Sequence, residues 1–326
     1  MVNPGAPTAP TIAVNDATPC LGTDVTLTGN HPDGSATYTW SGPSGFNSSS
    51  STINLLSVDN TDQGNYCVYV TVSGCSGPST CQNITINALP TLTLSVNDTD
   101  SIICLNESAV LSVSGASTYA WTGPSGFSSA GASVNLNSVT SSSQGYYIVI
   151  ATDANGCSSS DSIYISVAAL PNLTLNSTGQ SNTFCEDATI GLSATGATSY
   201  SWNGPNSFTS SNNAPVILNA NEANEGWYYV DGTDALGCHN ADSLFITVNT
   251  DIPANSSPSD TLICPGEGLT LSASGGITYD WSGPAGFASD QATVVLSNMT
   301  IEQSGWYVVV VSDAFGCSAA DSSNIL

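Results

Sequence analysis

The chain has no lysine and no arginine in 326 residues, against 25 aspartates and glutamates, so its formal net charge is −25. Nothing in it can neutralise phosphates, which excludes nucleic acid as a partner and an anionic membrane surface as a dock. Without lysine there is no Schiff-base chemistry. Histidine is nearly as scarce: His31 lies in NHPDG and His239 follows Cys238, and both read as surface residues rather than as general bases. No phosphate loop and no His/Cys set with zinc spacing is present. No apolar run reaches 18 residues, so this segment has no membrane insertion of its own. The opening MVNPGAPTAP has neither the basic end nor the apolar stretch of a signal peptide. No window supports a long amphipathic helix. These absences point away from an enzyme and from a cofactor.

What is present is regular. WSGPSGF at residues 40–46 returns as WTGPSGF at 121–127, WNGPNSF at 202–208 and WSGPAGF at 281–287. The tryptophans Trp40, Trp121, Trp202 and Trp281 are 81, 81 and 79 positions apart. A Gly-x-Tyr follows each at one offset, ending in Tyr66, Tyr147, Tyr228 and Tyr307. A fixed period with landmarks this far apart belongs to a whole folded unit. We divide the chain into repeats 1–89, 90–171, 172–253 and 254–326. The first is atypical, with an extra cysteine pair. The last ends inside what should be its final strand, as expected of a segment cut from a longer array.

The second repeat shows the strands best. TLTLSV and AVLSVS alternate with period two, and YYIVIAT is an almost continuous apolar run fit for a central strand. STYAW, SVNLNSV and SIYISV add strands, SIIC a short one, and DANG reads as a hairpin turn. Seven short strands in about 81 residues read as a two-sheet sandwich. Proline-containing joints, ALP at 88–90 and 169–171 and DIP at 251–253, favour an elongated rod over loose beads.

DQGNY at 62–66 resembles the Asp-x-Gly-x-Tyr of the immunoglobulin-like family, and the four tryptophans sit where that family packs an indole into its core. The resemblance implies an all-β tandem array of four immunoglobulin-like β-sandwich domains. One departure stands out. The family's core cysteine, two residues after the tyrosine, is replaced by Val68, Val149, Val230 and Val309. A narrower set is similar to the tandem repeats of Bacteroidota cell-surface adhesins, of the gliding-adhesin and type IX secreted kind. It comprises a Cys before the second strand, Y-x-W, G-x-Y, and D-A-x-G-C at the last hairpin. That resemblance implies a cell-surface location and O-linked glycosylation at Asp-Ser/Thr-apolar, which matches Ser101, Ser162, Ser243 and Thr261.

Several residues are candidates for more than packing. The aromatics of the repeated motif read as core, with a sugar-stacking platform as the functional alternative. Asp153, Asp234 and Asp313 share one hairpin position, and Asp98 and Asp100 lie near a domain end. They are calcium candidates, weighed against carboxylates that cap their own turns.

Ten cysteines suggest an oxidising compartment. Cys67 and Cys81 should form a cross-strand disulfide on an outer face. The remaining eight have two competing pairings. Equal spacing suggests bonds within repeats: Cys20–Cys75, Cys104–Cys157, Cys185–Cys238 and Cys264–Cys317. Sandwich topology puts those partners a strand length apart. It favours staples to the next repeat: Cys20–Cys157, Cys104–Cys238 and Cys185–Cys317, with Cys75 and Cys264 left for neighbours.

The expected partners are further repeats of the same longer chain, copies of itself in a filament, and surface glycans or a host surface at an unseen tip. The function expected is a non-enzymatic stalk or fibre segment of an extracellular adhesin. The alternatives are a carbohydrate- or host-binding module array and the accessory region of a secreted enzyme.

Overall fold

The computed structural model describes residues 6–98, 101–249 and 252–326. It is a tandem array of four immunoglobulin-like β-sandwiches, each with its own core. The chain divides into two compact units, residues 1–168 and 169–326, each holding two sandwiches.

In the second sandwich, Thr93–Val96, Ala109–Ser114 and Ser133–Leu136 form a three-stranded antiparallel sheet with Ala109–Ser114 in the middle. The facing sheet has five strands, in the order Ile102–Cys104, Ser158–Ala168, Gly145–Thr152, Thr118–Thr122, Ser128–Ala130. Gly145–Thr152 is central. Its alternation buries Tyr147, Val149 and Ala151 while Tyr146, Ile148 and Ile150 face outward. The apolar run is therefore a half-buried strand and not a fully covered one. Ser128–Ala130 is an eighth strand beyond the seven expected. It carries no large apolar side chain and is fully exposed, so no hydrophobic period marks it.

The third and fourth sandwiches repeat this order in the second unit. The first lacks the short parallel strand at the edge. A single parallel bridge from Cys20 to Asn87 stands in its place.

Valine fills the place of the missing core cysteine. Val68, Val149, Val230 and Val309 are fully buried, in the same cores as Leu27, Leu111, Leu192 and Leu271 of the opposite sheet. Apolar contact joins the two sheets where a disulfide could have done so.

Candidate functional site

The repeated corner is a packing device. Trp40, Trp121, Trp202 and Trp281 are 0–1 % exposed. Each indole N–H donates to a backbone carbonyl ten residues on: Ser50, Gly131, Asn212 and Gln291, at 2.9–3.1 Å. Each buried ring is worth about 1.5–3 kcal/mol. Tyr66, Tyr147, Tyr228 and Tyr307 are equally buried, and each hydroxyl donates to the carbonyl four residues earlier at 2.8–3.1 Å.

Two glycines lock the two motifs together. A Cβ on Gly123 would stand 2.6 Å from the Tyr147 ring. Gly145 has φ +143, and a Cβ there would meet Pro124 at 2.8 Å. So the Gly-Pro of one motif and the Gly-x-Tyr of the other require each other. Phe127 closes the corner edge-on against Tyr147, with centroids 5.1 Å apart, and Phe46, Phe208 and Phe287 do the same in their repeats. These tryptophans have no face left for a sugar, which rules out that reading of them.

Burial raises the pKa of all four tyrosines. Tyr66 is pushed up to about 12, by desolvation first and by the charge of Asp62 second. Tyr147, Tyr228 and Tyr307 are raised by burial alone.

The aspartates at the last hairpin are turn caps. Asp153 Oδ1 accepts from the amides of Asn155 and Cys157, both at 2.9 Å. Asp234 accepts from Leu236 and Cys238, and Asp313 from Phe315 and Cys317. Among the described residues no three His, Cys, Asp or Glu side chains gather into a metal-holding group. Asp100 lies outside the described residues, as does Asp251 of the third joint.

Strand register separates the equally spaced cysteines. Cys104 pairs with Ala168 at one end of the strand Ser158–Ala168, and Cys157 precedes its other end. An eleven-residue strand puts them roughly 35 Å apart. The same holds for Cys185, opposite Asn249, and Cys238 at the far end of His239–Asn249.

Within the first unit Cys20 is bonded to Cys157, Cα–Cα 5.5 Å, joining the first sandwich to the second. Within the second unit Cys185 is bonded to Cys317 at 5.3 Å, joining the third to the fourth. Cys67 and Cys81 are directly paired across neighbouring strands and bonded, Cα–Cα 4.0 Å. Cys104 and Cys238 are buried. Cys75 begins the short strand Cys75–Ser76. Cys264 is an exposed thiol.

Of the glycosylation candidates, Ser162 and Ser243 lie on the outward face of the last strand, paired with Ile148 and Tyr229. Ser101 sits just before the strand Ile102–Cys104, where its carbonyl accepts from the amide of Ser166, and Thr261 ends the strand Asp260–Thr261. The other two tryptophans are unlike the first four: Trp227 is 50 % exposed and Trp306 57 %.

No protein-family model matches the chain, and no curated protein does. Among solved structures it is similar to the I-band fragment I67–I69 of titin, with 16% identity over 75% of this chain and 96% of that one, at a TM-score of 0.38. It is also similar to the three N-terminal domains of the bacteriophage RB49 Hoc protein, with 15% identity over 72% and 98%, at a TM-score of 0.37. The N-terminal eight immunoglobulin domains of Down syndrome cell adhesion molecule match at 14% identity over 96% of this chain and 47% of that one, at a TM-score of 0.32. These likenesses are distant.

Proposed function

We propose that the chain is a non-enzymatic, disulfide-stabilised stalk or fibre segment of an extracellular adhesin. The observation that carries this reading is the pair of bonds Cys20–Cys157 and Cys185–Cys317, each tying one sandwich to the next. Closing loops this long stabilises the fold by about 5 kcal/mol each in the loop-entropy account, and it has a mechanical consequence. Tension entering before Cys20 passes through the disulfide to Cys157 and leaves by the strand after it, so the residues between them, most of the first two sandwiches, bear little load. The bonded residues are 137 and 132 apart in sequence. Disulfides persist in oxidising surroundings, which fits the cell surface.

Cys264 occupies the position of Cys20 and Cys185 in its own repeat, and its thiol is exposed. We assign its partner to a hairpin cysteine of a further repeat. The four-fold recurrence of one packed corner also suits a spacer better than a recognition tip. Similarity of the repeats to Bacteroidota surface adhesins supports the same placement, and with it sugar attachment at Ser162 and Ser243.

Single-molecule stretching tests the reading. In oxidising buffer the segments inside each staple should stay hidden as the chain is pulled. A reductant should release about 450 Å of extra length per staple, at about 3.3–3.6 Å per residue. Equal extension with and without reductant would refute the load-bearing role.

A further inference from the structure

The sandwiches leave an aromatic surface uncovered. In the third, Trp227 and Tyr229 are two residues apart on one strand and so share its outward face. Their exposures are 50 % and 49 %, and Phe245 on the adjacent strand, paired with Trp227, is 40 % exposed. The rings of Trp227 and Tyr229 have centroids 6.5 Å apart and planes inclined by 32°. Phe245 packs edge-on against Trp227, with centroids 5.4 Å apart. Ser243 and Asn203 flank Tyr229 on its two neighbouring strands. The same outward strand position holds Tyr146 in the second sandwich, 63 % exposed, and Trp306 in the fourth, 57 % exposed. A protein that places a large aromatic ring in water at one register three times has a use for it.

Charge selects the occupant. The outward residues around Tyr146 are Ile148, Ile150, Ala120, Thr122, Ser160, Ser162 and Tyr164, none of them ionised at neutral pH. In the third sandwich the ionisable neighbours Asp231 and His239 lie beyond Tyr229 and face each other at 3.4 Å. The window around Tyr146 is neutral on a chain of charge −25, while Asp231 borders the one around Tyr229 and Asp280 lies opposite Val310 on the face that carries Trp306. An anionic ligand is repelled by the whole chain, and so is a second copy of it. An uncharged partner with apolar C–H faces and hydroxyls around its rim matches what is offered: ring faces bordered by Ser, Thr and Asn.

We infer that the outward face built on Trp227, Tyr229 and Phe245 binds a neutral polysaccharide, with Tyr146 and Trp306 as equivalent platforms. Pyranose rings stack on the aromatic plates, and Asn203 meets their hydroxyls. Several weak platforms on one chain raise retention on a polymer well above that of any single one. This inference does not depend on the stalk reading; a stretching experiment can fail while glycan binding stands.

The test uses the full chain, produced free of attached sugar and checked by intact mass. It is challenged with cellulose, chitin, mannan and dextran in pull-down and affinity electrophoresis. The expected result is retention on at least one of them, with quenching or a blue shift of tryptophan fluorescence. Combining Tyr146→Ala, Trp227→Ala and Trp306→Ala should weaken retention by about tenfold or more, as loss of aromatic anchors does. Leu236→Ala, an exposed hairpin residue away from the platform, should leave it unchanged. Because the three substituted rings are surface residues, an unaltered circular dichroism spectrum should accompany the loss. No retention on any of the four polymers would overturn the inference, as would retention unaffected by the triple variant. Self-association of the wild-type chain that the triple variant abolishes would overturn it too, assigning the face to a second copy.

Discussion

Trp202 and Trp227 lie 25 positions apart in one sandwich, one sealed and the other half in water. Trp202→Ala should cost about 3–5 kcal/mol, the range for emptying a buried aromatic site. Trp227→Ala should cost within about 0.5 kcal/mol, as surface changes do. Thermal denaturation of both variants checks this, and equal losses would mean that Trp227 is structural. The sequence separates the two only in part. Trp202 belongs to a set that recurs in every repeat, which marks it as core. Trp227 neighbours the inward Tyr228, so alternation turns it outward. Alternation cannot say whether a further surface covers it, and the position varies from Asn65 to Tyr146 to Trp306. The tyrosines make a second prediction. An unfolded tyrosine ionises near pH 10, whereas Tyr66 in the folded chain holds its proton to about 12. Between these values the folded state binds more protons than the unfolded one, so stability falls as pH rises. Tyr147, Tyr228 and Tyr307 are shifted in the same direction. Melting temperatures should hold up to about pH 10 and fall above it, and Tyr66→Phe should flatten part of that fall. A melting temperature constant from pH 9 to 12 would contradict the assignment.

At the level of the element, the last hairpin is the most informative. Its aspartate accepts from two amides of its own turn, the second belonging to the hairpin cysteine. Asp153→Ala leaves both amides without that acceptor and should cost about 1 kcal/mol, as loss of a cap does. Asp153→Asn keeps an acceptor oxygen and should recover most of it. If the residue served calcium instead, both variants would be damaging and a chelator would lower the wild-type melting temperature. Expected here is no change with chelator; a drop would reopen the calcium reading. Strands and sheet pairing were legible wherever a buried face imposed period two, as in Ala109–Ser114. Ser128–Ala130 was not, because its backbone pairs with Thr118–Thr122 while its side chains bury nothing. The cysteine pairing was legible through sandwich topology, which favoured the staples Cys20–Cys157 and Cys185–Cys317 that the structure holds. Spacing alone leaves two pairings open, and register separates them by putting Cys104 at one end of the last strand and Cys157 at the other.

At the scale of the whole molecule, 25 acidic side chains have no lysine or arginine to meet. They are accommodated by neutral donors instead. Asp321 accepts from the amide and hydroxyl of Ser256 at 2.7 and 3.0 Å, and the amide bond is the main reason its carboxyl is held below the usual range. Asp33 and Asp59 are lowered in the same way, chiefly by the hydroxyls of Ser35 and Thr61. Such bonds keep the carboxylates ionised and leave their mutual repulsion in place. That repulsion acts on the folded chain more than on the unfolded one, because folding brings the charges closer. Salt should therefore stabilise this protein, the reverse of what a surface rich in ion pairs would show. The screening length falls from about 30 Å at 0.01 M to about 8 Å at 0.15 M salt and then changes slowly. The melting temperature should accordingly climb steeply up to about 0.15 M sodium chloride and level off beyond it. A linear rise into the molar range would point to general exclusion of salt from the surface, and no rise would mean that the acidic charges lie too far apart to feel one another.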